Sequence, residues 1–182
     1  MRARLSLFLL LTSCGLSSAE APGGYLGWSP RGRAFSCEIP RGWSAFEEEE
    51  PQGFAAHFLG PDDPAGTYRA GIDVHWVERG QPGWVDWKDA VDRLRRPDKE
   101  SRREATPVRL LRVGGVLSRV FEVTESRRLP PDHLPAAEEA LHHYVAIVPG
   151  GESYYIIRLS STRDVYLEYK EEFLRFLKSF RP

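Results

Sequence analysis

The chain has 182 residues, of which 41% are hydrophobic and 28% charged, and its formal net charge is −1. This is enough apolar material for one domain with its own core. Because acidic and basic residues are nearly balanced and interspersed, the chain lacks the positive excess that binds nucleic acid backbones, and we expect no nucleic acid partner.

The first thirteen residues have the pattern of a secretory signal peptide. Arg2 and Arg4 precede a short apolar run, residues 5–11 (LSLFLLL), and small residues follow it. The run is far shorter than the ~20 residues that a membrane-spanning helix needs. The pattern therefore predicts export and removal of residues 1–13.

The end of the apolar run resembles the bacterial lipobox. Residues 11–14 (LTSC) have its order of an apolar residue, two small residues and a cysteine. The resemblance implies that Cys14 is lipidated and becomes the new N-terminus, where acyl chains contribute ~0.8 kcal/mol of membrane binding per buried methylene. Ordinary cleavage after Ala19 or Ala21 is the alternative and would discard Cys14. Residues 14–24 are small and polar, which predicts a flexible tether.

One cysteine remains in the rest of the mature chain, so we expect no internal disulfide. Cys37 lies in residues 34–39 (AFSCEI), where strand alternation puts Phe35, Cys37 and Ile39 on one face. This pattern predicts a small buried core residue rather than a nucleophile.

The predicted domain, residues 25–182, opens with short strands. Four stretches have an alternating or continuous apolar pattern: residues 34–39, 43–48, 53–59 and 70–77. The turn-forming residues 40–42 (PRG) predict that the first two stretches pair as a hairpin. In the last stretch Asp73 and His75 share a face, where they would form an acid–base pair or simply face solvent.

A helix is predicted after the break at residues 80–83 (GQPG). Four apolar residues fall on one helical stripe: Trp84, Trp87, Val91 and Leu94. Pro97 ends the pattern. We expect this helix to cover one face of the sheet, with its tryptophans as packing anchors rather than a ligand platform.

Two hairpins are predicted in the C-terminal half. Residues 108–113 and 116–123 flank two glycines, a strong turn signal. Residues 140–160 contain two apolar runs joined across residues 149–151 (PGG). Because both faces of these runs are apolar, we expect them to be central strands covered on both sides.

Residues 126–138 form the longest predicted loop, which lies between the two hairpins. It contains Arg127, Arg128 and His133 among several prolines. Long loops held by a rigid sheet often carry function, and arginine is enriched at interfaces. These three residues are therefore a candidate partner-binding loop, and a plain solvated loop is the alternative.

A last helix follows, capped by Ser161 or Thr162. Its apolar stripe consists of Tyr166, Tyr169, Phe173, Phe176, Leu177 and Phe180. Strands joined by short turns pair antiparallel, and helices that arrive at separate points can cover opposite faces. The sequence thus predicts an α+β fold, a mainly antiparallel β-sheet sandwiched between helices in α/β/α layers.

A metal site is a further hypothesis, with His133, His142 and His143 as candidates. Adjacent residues on a strand point to opposite faces, so His142 and His143 cannot hold one ion together unless the strand bulges. One of them would have to join His133. The favoured alternative puts one histidine in the sheet–helix interface and the other at a wetter face. No phosphate loop, zinc motif or nucleophile elbow is present in the sequence, so we expect no cofactor and no catalytic activity.

Two segments resemble PsbP-like domains. Residues 35–43 match the pattern F-x-x-x-x-P-x-G-W near the start of these domains, and residues 173–180 (FLRFLKSF) resemble their closing helix. The resemblance covers residues 25–182 and implies an antiparallel sheet between helical layers. Family members are mostly non-catalytic: they include extrinsic subunits or assembly factors of photosystem II, a binder of a small GTPase, and bacterial exported proteins or lipoproteins.

These observations lead to one functional hypothesis and two alternatives. The hypothesis is a lipid-anchored domain of the bacterial cell envelope that faces the periplasm or exterior and acts by binding an envelope protein. The first alternative is a carrier whose sheet and long loop enclose a small apolar ligand. The second is a hydrolase or metal-dependent enzyme, for which a pocket with coupled titratable groups would be the signature.

Overall fold

A computed structural model describes residues 24–32, 35–51, 53–131 and 135–182. Ten strands and two α-helices lie within these ranges. They are β1 Tyr25–Trp28, β2 Cys37–Pro40, β3 Ser44–Glu50, β4 Gly53–Asp62, β5 Arg69–Val77, α1 Trp87–Leu94, β6 Glu104–Ala105, β7 Arg109–Val113, β8 Val116–Leu129, β9 Ala137–Gly150, β10 Ser153–Thr162 and α2 Tyr166–Ser179. A short 3-10 helix, Arg163–Val165, leads into α2.

The main sheet has the strand order β3-β4-β5-β10-β9-β8-β6, and β7 pairs with β8 along the same edge as β6. Neighbouring strands in this order pair antiparallel. The hairpin of β9 and β10 is central, as the sequence predicted, and is joined through Gly151 and Glu152. The α+β fold class is thereby confirmed.

Helix α2 covers one face of the main sheet with an aromatic core. The predicted stripe is confirmed, since Phe173, Phe176 and Phe180 are at most 1% exposed. These rings pack with residues of the central strands, including Tyr144 and Tyr155. Burial of large aromatic side chains is a major stabilising contribution. This helix therefore anchors the fold.

Helix α1 covers one end of the opposite face. Its N-terminus is capped by Asp86, whose side chain accepts a hydrogen bond from the Lys88 amide. The predicted stripe packs against a second apolar cluster that includes Phe121 and Ile147. Because α1 has eight residues, about 12 Å of helix, it reaches across part of a sheet whose central strands are ten to fourteen residues long. Beyond α1 the side chains on this face become polar.

The predicted pairing of the first two strand stretches is wrong. β2 pairs with β1 in a separate two-stranded sheet, and β3 pairs with β4 at the edge of the main sheet. The turn at residues 40–42 thus carries the chain from one sheet to the other. Cys37 on β2 lies in the core at 3% exposure, as predicted, packed with Phe35 and Ile39.

The predicted loop at residues 126–138 is shorter than expected. Arg127 and Arg128 belong to β8 and pair in register with Glu139 and Glu138 of β9. In this register basic residues stand opposite acidic ones, while the ion pairs of these side chains join Arg127 to Glu125 and Glu138 to Arg102. The strand pairing therefore continues into residues that are polar in sequence. Within the part of the chain that the structure describes, neither helix has the length and apolar character to span a bilayer.

We expect Phe173→Ala to lower the free energy of unfolding by about 3–5 kcal/mol, because it opens a cavity in the core beneath α2. Leu167→Ala is the matched control on the same helix, since Leu167 is 74% exposed and should change stability by about 0.5 kcal/mol or less. Urea unfolding followed by circular dichroism measures both. Equal losses for the two variants would contradict the packing described.

Candidate functional site

A polar cleft of about 330 Å³ lies on the α1 face of the sheet, at the end that α1 leaves uncovered. We call it the polar cleft. It is lined by Tyr68, Glu125, Arg127, Arg128, Leu129, Pro131, Leu141, His143, Arg158 and Ser160. Most of these residues come from β8, β9 and β10, so the central strands of the sheet form its floor.

The floor of the polar cleft holds a chain of three buried side chains. Nδ1 of His143 lies 2.8 Å from Oγ of Ser160, and its Nε2 lies 3.5 Å from Oε1 of Glu125. His143 and Ser160 face each other in register on β9 and β10, and Glu125 comes from β8. All three are less than 9% exposed. A neutral imidazole fits these contacts, with Nδ1 accepting from the hydroxyl and the Nε2 hydrogen directed at the carboxylate.

The electrostatics of the cleft favour a neutral His143 and an ionised Glu125. Burial lowers the pKa of His143, and Arg158 and Arg103 add to this effect, while Glu125 opposes it. The hydrogen bond from His143, with help from Arg127, outweighs burial and holds the pKa of Glu125 at about 2. The carboxylate therefore carries its charge at neutral pH.

A second carboxylate extends the network along the same face. Asp73 on β5 lies 3.0 Å from Nη2 of Arg158 and 2.9 Å from Nδ1 of His57. Burial raises the pKa of Asp73, but Arg158 and His57 outweigh burial and hold it below its ordinary value. His75 contacts Glu50 at 2.9 Å. The two members of the predicted acid–base pair thus each pair with residues of other strands, Asp73 with β4 and β10 and His75 with β3.

The two carboxylates lie beneath arginines. The Glu125 and Asp73 side chains are 8% and 18% exposed, whereas those of Arg127 and Arg158 are 59% and 43% exposed. Nε of Arg127 donates to Glu125 at 2.9 Å, and Nη2 of Arg158 donates to Asp73 at 3.0 Å. The cleft therefore presents guanidinium groups to solvent above buried negative charge.

The order Ser160, His143, Glu125 is that of a serine nucleophile with its base and orienting acid, but the surroundings do not favour that chemistry. Ser160 is 6% exposed and lies within β10, which is paired on both sides. Its neighbouring backbone amides belong to the sheet ladder, so they are not free to stabilise an oxyanion. The lowered pKa of His143 also makes it a weaker base. The geometry suits a fixed polar network.

The structure places the sequence-predicted residues as follows. Arg127, Arg128 and His143 meet in the polar cleft. His142 points to the opposite face, where its ring lies 5.0 Å from that of Tyr166 on α2. His133 lies outside the described residues, as does Cys14. Among the described residues, no group of three or more His, Cys, Asp or Glu side chains is arranged to hold a metal ion.

Sequence reasoning missed Glu125, Arg158 and Ser160. Their signal was present, because Glu125 and Arg158 are charged residues that interrupt apolar strand patterns. Such interruptions in a central strand indicate a buried pair or a site. The missing information was the register that brings them together.

The comparisons with known proteins identify a fold rather than a sequence family. No protein-family model matches the chain, and no curated protein is similar enough in sequence to match. PA94, a Pseudomonas aeruginosa protein of unknown function, superposes with a TM-score of 0.53 at 13% identity, covering 88% of this chain and 98% of that one. Cyanobacterial PsbP (CyanoP) from Synechocystis sp. PCC 6803 gives 0.50 at 14% identity, with coverage of 94% and 98%.

A third structure, LpqN of Mycobacterium tuberculosis, described as involved in cell envelope biogenesis, gives a TM-score of 0.49 at 10% identity, covering 90% of this chain and 86% of that one. The likeness to cyanobacterial PsbP extends over almost the whole of both chains. The fold is therefore PsbP-like, as the two sequence segments indicated.

We expect His143 to titrate below its ordinary pKa of 6.5 in an NMR titration of its ring protons, because its charged form is poorly solvated. Glu125→Gln should lower the midpoint further, since the carboxylate favours the protonated ring. Arg158→Met should raise it by removing a neighbouring positive charge. A wild-type midpoint at or above 6.5, or an upward shift in Glu125→Gln, would contradict the network.

Proposed function

We propose that this protein is a lipid-anchored, extracytoplasmic domain that acts without catalysis as an accessory factor, by binding another envelope protein through the polar cleft. The observation that carries the proposal is the layer of exposed guanidinium groups held above buried carboxylates. Fixed donors of this kind recognise acidic groups on a partner.

The anchor is proposed from the leader sequence. A signal-peptide pattern ends in the lipobox-like residues 11–14, which would leave Cys14 as the lipidated N-terminus. Residues 15–23 then separate Cys14 from the first described residue, Gly24. A PsbP-like domain held in this way would work at the membrane surface outside the cytoplasm.

The cleft supports an acidic partner rather than an apolar ligand. Arg127 and Arg158 are held in place by Glu125 and Asp73, and their side chains are 59% and 43% exposed, so a partner can reach them at little cost in side-chain entropy. Arg128 is exposed at the cleft rim, and among the described residues it makes no ion pair. Because its floor contains charged side chains, the polar cleft does not provide the apolar enclosure that a carrier of an apolar ligand needs.

We expect metabolic labelling with a fatty acid to modify the wild-type protein and to fail in Cys14→Ser, because Cys14 is the proposed acyl acceptor. Cys37→Ser is the matched control and should keep the label, since Cys37 lies in the core. In-gel detection of the labelled protein measures the result. Label on Cys14→Ser would refute lipidation at this position.

We expect a photo-crosslinking residue at position 131, on the cleft rim, to capture a discrete partner in intact membranes. Arg128→Glu in the same chain should reduce the yield about tenfold or more by repelling the acidic partner. Arg96→Glu makes the same charge change at an exposed position beyond α1 and should leave the yield unchanged. Mass spectrometry identifies the partner and quantifies the yield.

The crosslinker placed at position 88, on α1, sets the background for this experiment. If position 131 gives no species above that background, the cleft is not the binding surface. If Arg128→Glu leaves the yield unchanged, the partner does not respond to the charge at the cleft rim, which contradicts recognition of an acidic partner there.

A further inference from the structure

A second surface lies on the other face of the sheet, at the C-terminal end of α2. A groove of about 610 Å³ runs between this helix end and the β7–β8 turn. Its apolar floor includes Leu111, Leu174 and Leu177, and its basic residues are Arg112, Lys178 and Arg181. Among the described residues, its lining includes no Asp or Glu. We call this surface the basic groove.

The three cations of the basic groove keep their positive charge available. Arg112 donates to the carbonyl of Gly115 at 3.1 Å, and Arg181 donates to the carbonyls of Lys178 and Phe180 at 2.8 Å. These acceptors are neutral. Among the described residues, no carboxylate lies within ion-pair distance of Arg112, Lys178 or Arg181. The groove lining is therefore cationic, and the nearby carboxylate of Glu38, which shares an adjoining pocket with Lys178 and Arg181, pairs with Arg175 at 3.6 Å.

Charge along the outer face of α2 changes sign midway. Glu168 and Glu171 are exposed in the first half, and Arg175 and Lys178 are exposed in the second. Leu174, 40% exposed, lies on α2 among these cations and lines the groove together with Lys178. An exposed leucine among basic residues is typical of a surface that contacts anionic headgroups and the edge of the acyl layer. Only the C-terminal half of the helix has this character.

The chain enters the domain beside the same half of α2. The carbonyl of Gly24 accepts a hydrogen bond from the Arg41 amide at 2.8 Å. The next residue, Tyr25, bonds to Glu172 through its hydroxyl, and the guanidinium of Arg175 lies 3.4 Å from its ring centroid. The chain therefore enters beside Glu172 and Arg175, which lie within one helical turn of Leu174 and Lys178 respectively along α2.

The length of the connection limits how far this surface can be from the membrane. Nine residues lie between Cys14 and Gly24, so the two are ten residue steps apart and at most about 35 Å from each other when the chain is fully extended. A domain of this size has a radius of gyration of about 15 Å. The tethered end of α2 thus stays within about one domain diameter of the bilayer, where a weak contact is favoured by high local concentration.

From this geometry we infer that the basic groove and Leu174 lie against anionic phospholipid headgroups and orient the domain on the membrane. The inference rests on the lipid anchor of the proposed function for its location. The kind of ligand is inferred from the groove residues, because phosphate groups bind guanidinium and ammonium donors that have no carboxylate partner. The polar cleft then faces away from the bilayer.

The test uses residues 14–182 coupled through the Cys14 thiol to maleimide lipid in vesicles. Cys37 stays unreacted, because it is 3% exposed and burial raises the pKa of its thiol to about 12. Acetylation rates of Lys178 and Lys88 are then measured by mass spectrometry. On vesicles containing phosphatidylglycerol, Lys178 should react about fivefold or more slowly than on pure phosphatidylcholine, while Lys88, on the opposite face, should not change.

Charge reversal and salt complete the test. Arg112→Glu should remove most of the protection of Lys178, and Arg96→Glu, far from the groove, should keep it. High salt should abolish the protection, because the contact is electrostatic. Equal Lys178 rates on both kinds of vesicle, or equal protection of Lys88, would overturn the inference. Since the chemical coupling replaces native acylation, these outcomes are independent of the fatty-acid labelling of Cys14.

Discussion

Two carboxylates buried beneath arginines determine the character of this domain's polar face. A buried carboxylate without a partner is strongly destabilising, so Glu125 and Asp73 require positive charges or hydrogen-bond donors close by. Arg127, Arg158 and the two histidines that contact these carboxylates meet that requirement. The arginines are thereby fixed in place while their outer donors stay exposed. The exposed arginines are therefore fixed because they neutralise the carboxylates buried in the sheet.

Much of the fold could be predicted because the apolar residues keep strict periods. The stripe of α2 is buried residue by residue, and the continuous apolar runs of β9 and β10 do lie at the centre of the sheet. Strand alternation also predicted that His142 and His143 face opposite sides, which the contacts of each ring confirm. In these cases local pattern and tertiary packing require the same arrangement.

The remaining features depend on long-range pairing, which no local pattern contains. β1 is four residues long and finds its partner in β2 through a register that its sequence does not specify. Residues 126–129 look like a loop until they are paired with residues 137–140, where acidic and basic side chains face each other. The polar cleft has the same origin, because Glu125, His143 and Ser160 come from three strands. Each is unremarkable alone, and only the register makes them a network.

The two exposed surfaces are separated by the architecture itself. Ser160, at the floor of the polar cleft, lies near the end of β10, and α2 begins six residues later on the opposite face. The fourteen residues of α2 then carry the chain about 21 Å to the basic groove. One surface is therefore on the α1 face near the start of α2, and the other is on the α2 face at its end. A domain held at the membrane by its basic groove would leave the arginine layer free for a partner, so anchoring and binding need not compete for the same residues.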